Sequence, residues 1–335
     1  MFARATSDGS VPVAAGPLAA IEQELEQRWR DGDRIDEICR YALLPAGKLL
    51  RPRLLLAACE AVGGETYKVM PAAIGSECGH SASLIHDDII DADELRRGRP
   101  SVHVRFGIDD AIVAGDMLIF HLFLCLSEVH DREVPAERVV AALRATSIAG
   151  LDVCRGQSRE AEICGDPTCG VDEYIDVARL KTAALFRGTC ESGAILGGGT
   201  PEQIAGLASY GDRLGVAFQI VDDLLGYTSS TDVMGKAASS DARNRRVTLP
   251  VILALRDGGA TVRGAILRAF ADGIPEAEAQ ALLAEALERA QALVAARRWA
   301  ERSARDAREH LTVLPASPTR DLLAHVADLA IDRAA

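Results

Sequence analysis

Apolar positions recur at helical spacing along nearly the whole chain. Leu18, Ile21, Leu25 and Trp29 share one face and predict an amphipathic first helix. Pro52 opens a second helix and Pro71 a third that runs toward Asp91. Ala111 to Val129 reads as a long buried helix, and Val139 to about Ile163 continues the pattern until Gly165-Asp166-Pro167 breaks it. Asp172 to Leu196 predicts another helix, ended by glycines 197–199, and Pro201 starts the helix that leads into Asp222. Pro275 to about Leu311 has helical spacing, and Ser317-Pro318 begins the last helix. No alternating β-branched run stands out, so the fold class expected is all-α. Residues 1–16 are small and weakly apolar, which predicts a disordered tail. Residues 227–247 are polar and rich in Gly and Ser, which fits a mobile loop. No Pro- or Gly-rich linker divides the rest, so residues 17–335 read as one helical domain.

Composition narrows the function. With 335 residues, 48% of them hydrophobic, the chain is long enough for a large core. A net charge of −12 argues against nucleic acid as a partner. The eight cysteines show no CxxC pair, and in a large helical chain they read as reduced thiols of a cytoplasmic protein. The most apolar stretch, Ala111 to Leu126, is interrupted by Asp116 and His121 and reads as a core helix rather than a membrane span. No signal peptide is expected, because the N-terminus has no apolar core region.

Two acidic clusters carry the chemistry, each directly after an apolar run. The first is His86-Asp87-Asp88-Ile89-Ile90-Asp91 and the second Phe218-Gln219-Ile220-Val221-Asp222-Asp223. Asp87 and Asp91 stack at i, i+4, and like charges there are destabilising without a cation. Both clusters also fall late in a helix, where the macrodipole disfavours anions. Oxygen donors with no Cys or His at ligand spacing suit a hard ion such as Mg²⁺. The alternative is a solvated acidic helix end. Two facing clusters would hold several Mg²⁺ ions, and these a diphosphate. Basic segments stand nearby: Arg96-Arg97-Gly98-Arg99 follows the first cluster, and Gly47-Lys48 with Arg51-Pro52 precedes it. Arg suits bidentate phosphate contact, although these arginines could merely neutralise the aspartates.

Taken in order, Gly47-Lys48 with Arg51-Pro52, His80, Asp87 to Asp91 with Arg96-Arg97, Lys181-Thr182, Phe218-Gln219 with Asp222-Asp223, and Gly235-Lys236 resemble the trans-polyprenyl diphosphate synthase family. The resemblance runs from about Leu18 to the C-terminal helices. It implies an all-α isoprenoid-synthase-type bundle around a central apolar cavity, and a homodimer. It implies a prenyltransferase that joins isopentenyl diphosphate to an allylic diphosphate with Mg²⁺, up to three ions. Residue by residue, Asp87, Asp88, Asp91, Asp222 and Asp223 would serve the metal. Lys48, Arg51, His80 and Arg97 would hold the diphosphate of isopentenyl diphosphate, and Arg96 that of the allylic substrate. Lys181, Thr182 and Gln219 would line the reacting end, with Lys236 adding charge to the leaving group.

This sequence departs from the family in places. Gly226 stands where a third Asp of the second motif is usual, Ser229-Ser230 where Gly-Asp is common, Leu49 where an Arg is common and Arg246 where Lys is frequent. The tunnel-floor positions four and five before the first motif are Ser83 and Ala82, both small, with Gly79, Ser76 and Gly75 a turn earlier. Such a floor predicts a product of twenty carbons or more, unless these residues only allow close helix packing or Met117, Phe120 or Phe123 supplies the plug. A class I terpene cyclase, a non-catalytic regulatory subunit and a helical binding module are the rival readings.

Overall fold

The computed structural model describes residues 15–30, 32–228, 246–271 and 273–332. The tail expected over 1–16 falls almost wholly outside the described residues, as do Lys236, Ser229-Ser230 and most of the loop expected over 227–247. The chain packs as two compact units. One comprises Met1–Ile148, Gly188–Ala208 and Leu311–Leu323; the other comprises Ala149–Arg187, Ser209–His310 and Ala324–Ala335.

Helix is nearly the only regular structure among the described residues. The N-terminal part runs α1 (Ala15–Arg28), α2 (Arg34–Leu43), α3 (Leu50–Ala61), α4 (Met70–Ile90), a two-stranded hairpin of β1 (Leu95–Arg96) and β2 (Arg99–Pro100), α5 (Val102–Phe106) and α6 (Ile108–Glu128). α7 (Ala136–Ile163), α8 (Val171–Ala178), α9 (Ala184–Gly197) and α10 (Pro201–Thr228) follow. Beyond the undescribed stretch come α11 (Leu249–Asp257), α12 (Gly259–Ala269), α13 (Glu276–Arg289), α14 (Ala292–His310) and α15 (Pro318–Asp332).

In the first unit α4 packs on α3 and, most extensively, along α6. The small residues of α4 permit this. A Cβ on Gly79 would lie 2.9 Å from Leu122 Cδ2, and one on Gly75 would lie 2.9 Å from Cys125 Cβ. Gly75 and Gly79 therefore serve the close approach of α6. The α6 helix was expected to be buried, but only one face is. Ala111, Ala114, Leu118, Cys125 and Leu126 enter the core, while Ile112, Val113, Leu124 and Phe120 (74% exposed) face solvent. Within the run Ile108–Arg132 an 18-residue window has a mean hydropathy of 1.8, so this helix is long and apolar enough to cross a membrane by length and composition. The shorter segment Ala111 to Leu126 understated it.

The second unit has its own apolar core, built from α8, the end of α10 and α11 to α14. On α14 a stripe of Ala292, Ala296, Ala300, Ala304 and Ala307 is buried. The single helix expected from Pro275 to Leu311 is two, because Gln291 takes φ 52° between α13 and α14. The helix expected over Asp172 to Leu196 is interrupted by a π-helical turn at Arg179–Ala183. Helix α2, missed by the periodicity reading, starts with a capping box. Asp33 accepts from the amides of Ile35 and Asp36, and the Asp36 carboxylate accepts from Asp33 N.

Candidate active site

In the first unit the last turn of α4 presents Asp87 and Asp91 one above the other; the Asp91 amide donates to the Asp87 carbonyl at 2.8 Å. Both are half-buried. Asp88 points elsewhere. Successive residues on a helix diverge by about 100°, so Asp88 joins Ser81 and Ile85 on the buried face. It is 2% exposed and accepts two hydrogen bonds from Arg96, one from Nε at 2.8 Å. Burial pushes the Asp88 carboxyl above its ordinary value, and the Arg96 guanidinium opposes that shift.

The hairpin pairs Leu95 with Pro100 and Arg96 with Arg99. Its two-residue turn, Arg97-Gly98, has φ 52° and 73°, the positive values that a tight hairpin needs. The three arginines therefore part ways. Arg96 turns to Asp88. Arg99 donates to the carbonyls of Tyr41 and Leu44 at 3.0 Å and stacks 4.4 Å from the Tyr41 ring, a strut to the end of α2. Arg97 sits at the turn and donates to Pro45 O at 3.4 Å. A Cβ on Gly47 would lie 2.6 Å from Arg97 Nη2, so glycine leaves room for that guanidinium.

Arg97 belongs to a basic group with Arg51 and His80. Burial lowers Arg51 to about 10, with Glu77 acting against the shift. Burial, followed by the charges of Arg51, Arg97 and Arg96, holds His80 well below the usual histidine range, so it is neutral near pH 7. His80 Nδ1 is buried with no hydrogen-bond partner among the described residues, an atom left for a ligand to satisfy. Glu77, 2% exposed and raised by burial, is the acidic member. It stands three residues before His80, the helical spacing that could have flagged it. Lys48 is exposed in the loop before α3.

In the second unit the π turn carries Lys181 and Thr182; such turns are frequent at functional sites. Lys181 Nζ donates to Glu160 Oε2 of α7 at 2.5 Å. Gly156 of α7 lets the turn settle, since a Cβ there would lie 2.4 Å from Lys181 N. Thr182 Oγ1 donates to Gln219 Oε1 at 2.6 Å, and Gln219 Nε2 donates to Asp223 Oδ1 at 2.8 Å. The Tyr174 hydroxyl donates to Asp223 Oδ2 at 2.6 Å. Asp223 is 9% exposed, whereas Asp222 is exposed. Glu160 and Tyr174 had no place in the motif reading. Gly226 is buried at the position of the absent third aspartate.

The donors fit magnesium in a particular way. No group of three or more His, Cys, Asp or Glu gathers as a cage among the described residues. Asp87 with Asp91, and exposed Asp222, instead offer a few hard oxygens. Mg²⁺ is usually held by one or two carboxylates together with waters and substrate phosphates.

Within the first unit, the acidic end of α4 beside the Arg51, His80 and Arg97 cluster has the charges to handle a diphosphate, in an all-α protein. A family model described as polyprenyl synthetase matches residues 33–288, and the chain belongs to that family. It is 37% identical over 293 residues to a short chain isoprenyl diphosphate synthase of Methanothermobacter thermautotrophicus, covering 88% of each chain. It is 35% identical to the geranylgeranyl diphosphate synthase of Methanosarcina mazei, again over 88% of each. A polyprenyl synthase from Caulobacter crescentus, solved with calcium and isoprenyl diphosphate, superposes with a TM-score of 0.89 at 28% identity, covering 99% of this chain and 100% of that one. The fold is thus the all-α one of the polyprenyl synthases.

Proposed function

We propose that the protein condenses isopentenyl diphosphate with an allylic diphosphate to give an all-trans polyprenyl diphosphate of twenty carbons or more. The observation that carries this reading is the pairing, within one unit, of outward Asp87 and Asp91 with the Arg51, His80 and Arg97 group. Asp87 and Asp91 would hold one magnesium site and Asp222 another; magnesium, when bound, supplies Lewis-acid charge to the leaving diphosphate.

The chain's own residues divide the remaining work. Lys48, Arg51 and Arg97 bind the diphosphate of isopentenyl diphosphate, and neutral His80 adds a hydrogen bond from its ring. Arg96, anchored on Asp88, keeps a fixed charge toward the allylic diphosphate. Lys181, steadied by Glu160, stands with Thr182 and Gln219 at the reacting end, and Lys236 adds charge on the leaving group. The allylic C–O bond breaks with its electron pair on diphosphate. The double bond of isopentenyl diphosphate attacks the cation, and a proton leaves to the released diphosphate. Oriented oxygen dipoles and excluded water protect the cation.

A second copy of the chain is the partner proposed for α6, whose exposed Ile112, Val113, Phe120 and Leu124 form an apolar face. A cytoplasmic location accords with eight unbridged cysteines. The test is incubation of the purified protein with isopentenyl diphosphate, primers of five, ten and fifteen carbons, and Mg²⁺, read by mass spectrometry. A diphosphate of twenty or more carbons supports the proposal. A hydrocarbon or alcohol would point to a cyclase, and no turnover without a second protein to a regulatory subunit.

A further inference from the structure

We propose that Tyr174 is a positioning residue for the condensation, acting through Asp223 and Gln219 to set the polarity of the Thr182 hydroxyl. The inference rests on the reading of Thr182 and Gln219 as residues of the reacting end.

Four side chains of one unit form an ordered run. Tyr174 is buried on α8, Thr182 lies in the π turn, and Gln219 and Asp223 are one turn apart on α10. Hydrogen-bond capacity fixes every direction in the run. An ionised carboxylate only accepts, so Gln219 must turn its NH₂ to Asp223, which leaves its carbonyl for Thr182. That carbonyl cannot donate, so Thr182 must. The hydroxyl proton of Thr182 is thereby committed, and what the residue offers another neighbour is lone pairs. Tyr174 donates into the other oxygen of Asp223 at 2.6 Å. It stops the carboxylate from rotating and keeps Oδ1 aimed at Gln219.

The charge of Asp223 then acts at a distance. A carboxylate accepting from the amide N–H polarises the amide, its carbonyl oxygen becomes more negative, and the Thr182 oxygen follows. A positive carbon at that end meets fixed oxygen dipoles that need no reorganisation when charge appears. Asp223 thus supplies polarity from within the fold, while its neighbour Asp222 is exposed.

The test uses Y174F, D223N and the double variant in the full-length enzyme. Thermal midpoints and the half-saturating Mg²⁺ concentration are measured alongside. Y174F is expected to lower kcat about tenfold, with KM for both substrates within about twofold of wild type and the Mg²⁺ requirement unchanged. Hydrolysis of the allylic diphosphate in the absence of isopentenyl diphosphate, which reads ionisation alone, should fall by the same factor. In the D223N background, adding Y174F should change nothing further. A Y174F enzyme with wild-type kcat, or one whose loss persists in full in D223N, overturns the proposal. Two further variants, T182V and Q219L, keep the underlying reading separate. Should both retain wild-type kcat, the reading of the reacting end falls, and the role of Tyr174 with it. Should both lose activity while Y174F does not, only the link through Tyr174 falls.

Discussion

Arg96 Nε donates to Asp88 Oδ1 at 2.8 Å, and Asp88 is all but sealed from solvent, while Asp87 beside it is not. Neighbouring aspartates of one motif therefore do different things. Asp87→Ala and Asp91→Ala should abolish turnover and its Mg²⁺ dependence while leaving the fold intact. Asp88→Ala should retain the Mg²⁺ dependence but cost about 1–2 kcal/mol, because Arg96 loses its nearest partner; Asp93 Oδ2 at 3.6 Å and water at the 38% exposed Arg96 side chain limit the loss. Thermal melts with and without Mg²⁺ and inorganic pyrophosphate separate the two patterns.

Product length should respond at Ser83 rather than Ala82. Ser83 is half-buried one turn before Asp87, its hydroxyl bonded back to His80 O at 2.7 Å. Ala82 is fully inside the core, where an aromatic would overpack by about 1–3 kcal/mol or more. Ser83→Phe is expected to shorten the product by at least one five-carbon unit, and Ala82→Phe to lower the melting temperature first. Mass spectrometry of the products and a thermal melt decide it; an unchanged product from Ser83→Phe refutes the assignment of the floor.

Acid should weaken the fold through His80. Its folded-state pKa is depressed by burial and by Arg51, Arg97 and Arg96, with Glu77 the opposing charge nearby. The unfolded chain takes up this proton first, near pH 6.5, so stability falls as pH drops below that value, by at most about 1.4 kcal/mol per pH unit. His80→Gln should show a flatter decline between pH 7 and 5 than wild type. Parallel stability curves over that range would count against a buried neutral His80.

The apolar face of α6 should mediate self-association. Phe120→Glu, at a position 74% exposed, is expected to convert a dimer into a monomer in light scattering while preserving the circular dichroism spectrum. A Phe120→Glu protein of unchanged mass would exclude this face.

Much of this arrangement was legible beforehand. Prolines 71, 201 and 318 all lie in first helical turns as expected, and α4 carries its acidic pair at the end because apolar spacing and the Asp cluster agree. The motifs marked segments of the chain but not the direction of each side chain within them. Asp87-Asp88 and Asp222-Asp223 read alike as doublets, and in each the second residue turns inward. Helical angle would have told them apart, since Asp88 falls in step with Ser81 and Ile85. The hairpin was missed because two residues per strand are too short for a period-two pattern, and only the glycine at 98 marked its turn. The partnerships of Tyr174 with Asp223 and Glu160 with Lys181 join residues 49 and 21 positions apart, a separation that no local pattern encodes.

The wide turn at Arg179–Ala183 has a genetic corollary. A π-helical turn holds one residue more than an α-helical one, so a single-codon deletion there would regularise the backbone and change how Lys181 and Thr182 are presented, while the flanking helices keep their register. A deletion in this stretch should therefore spare the fold and cost turnover.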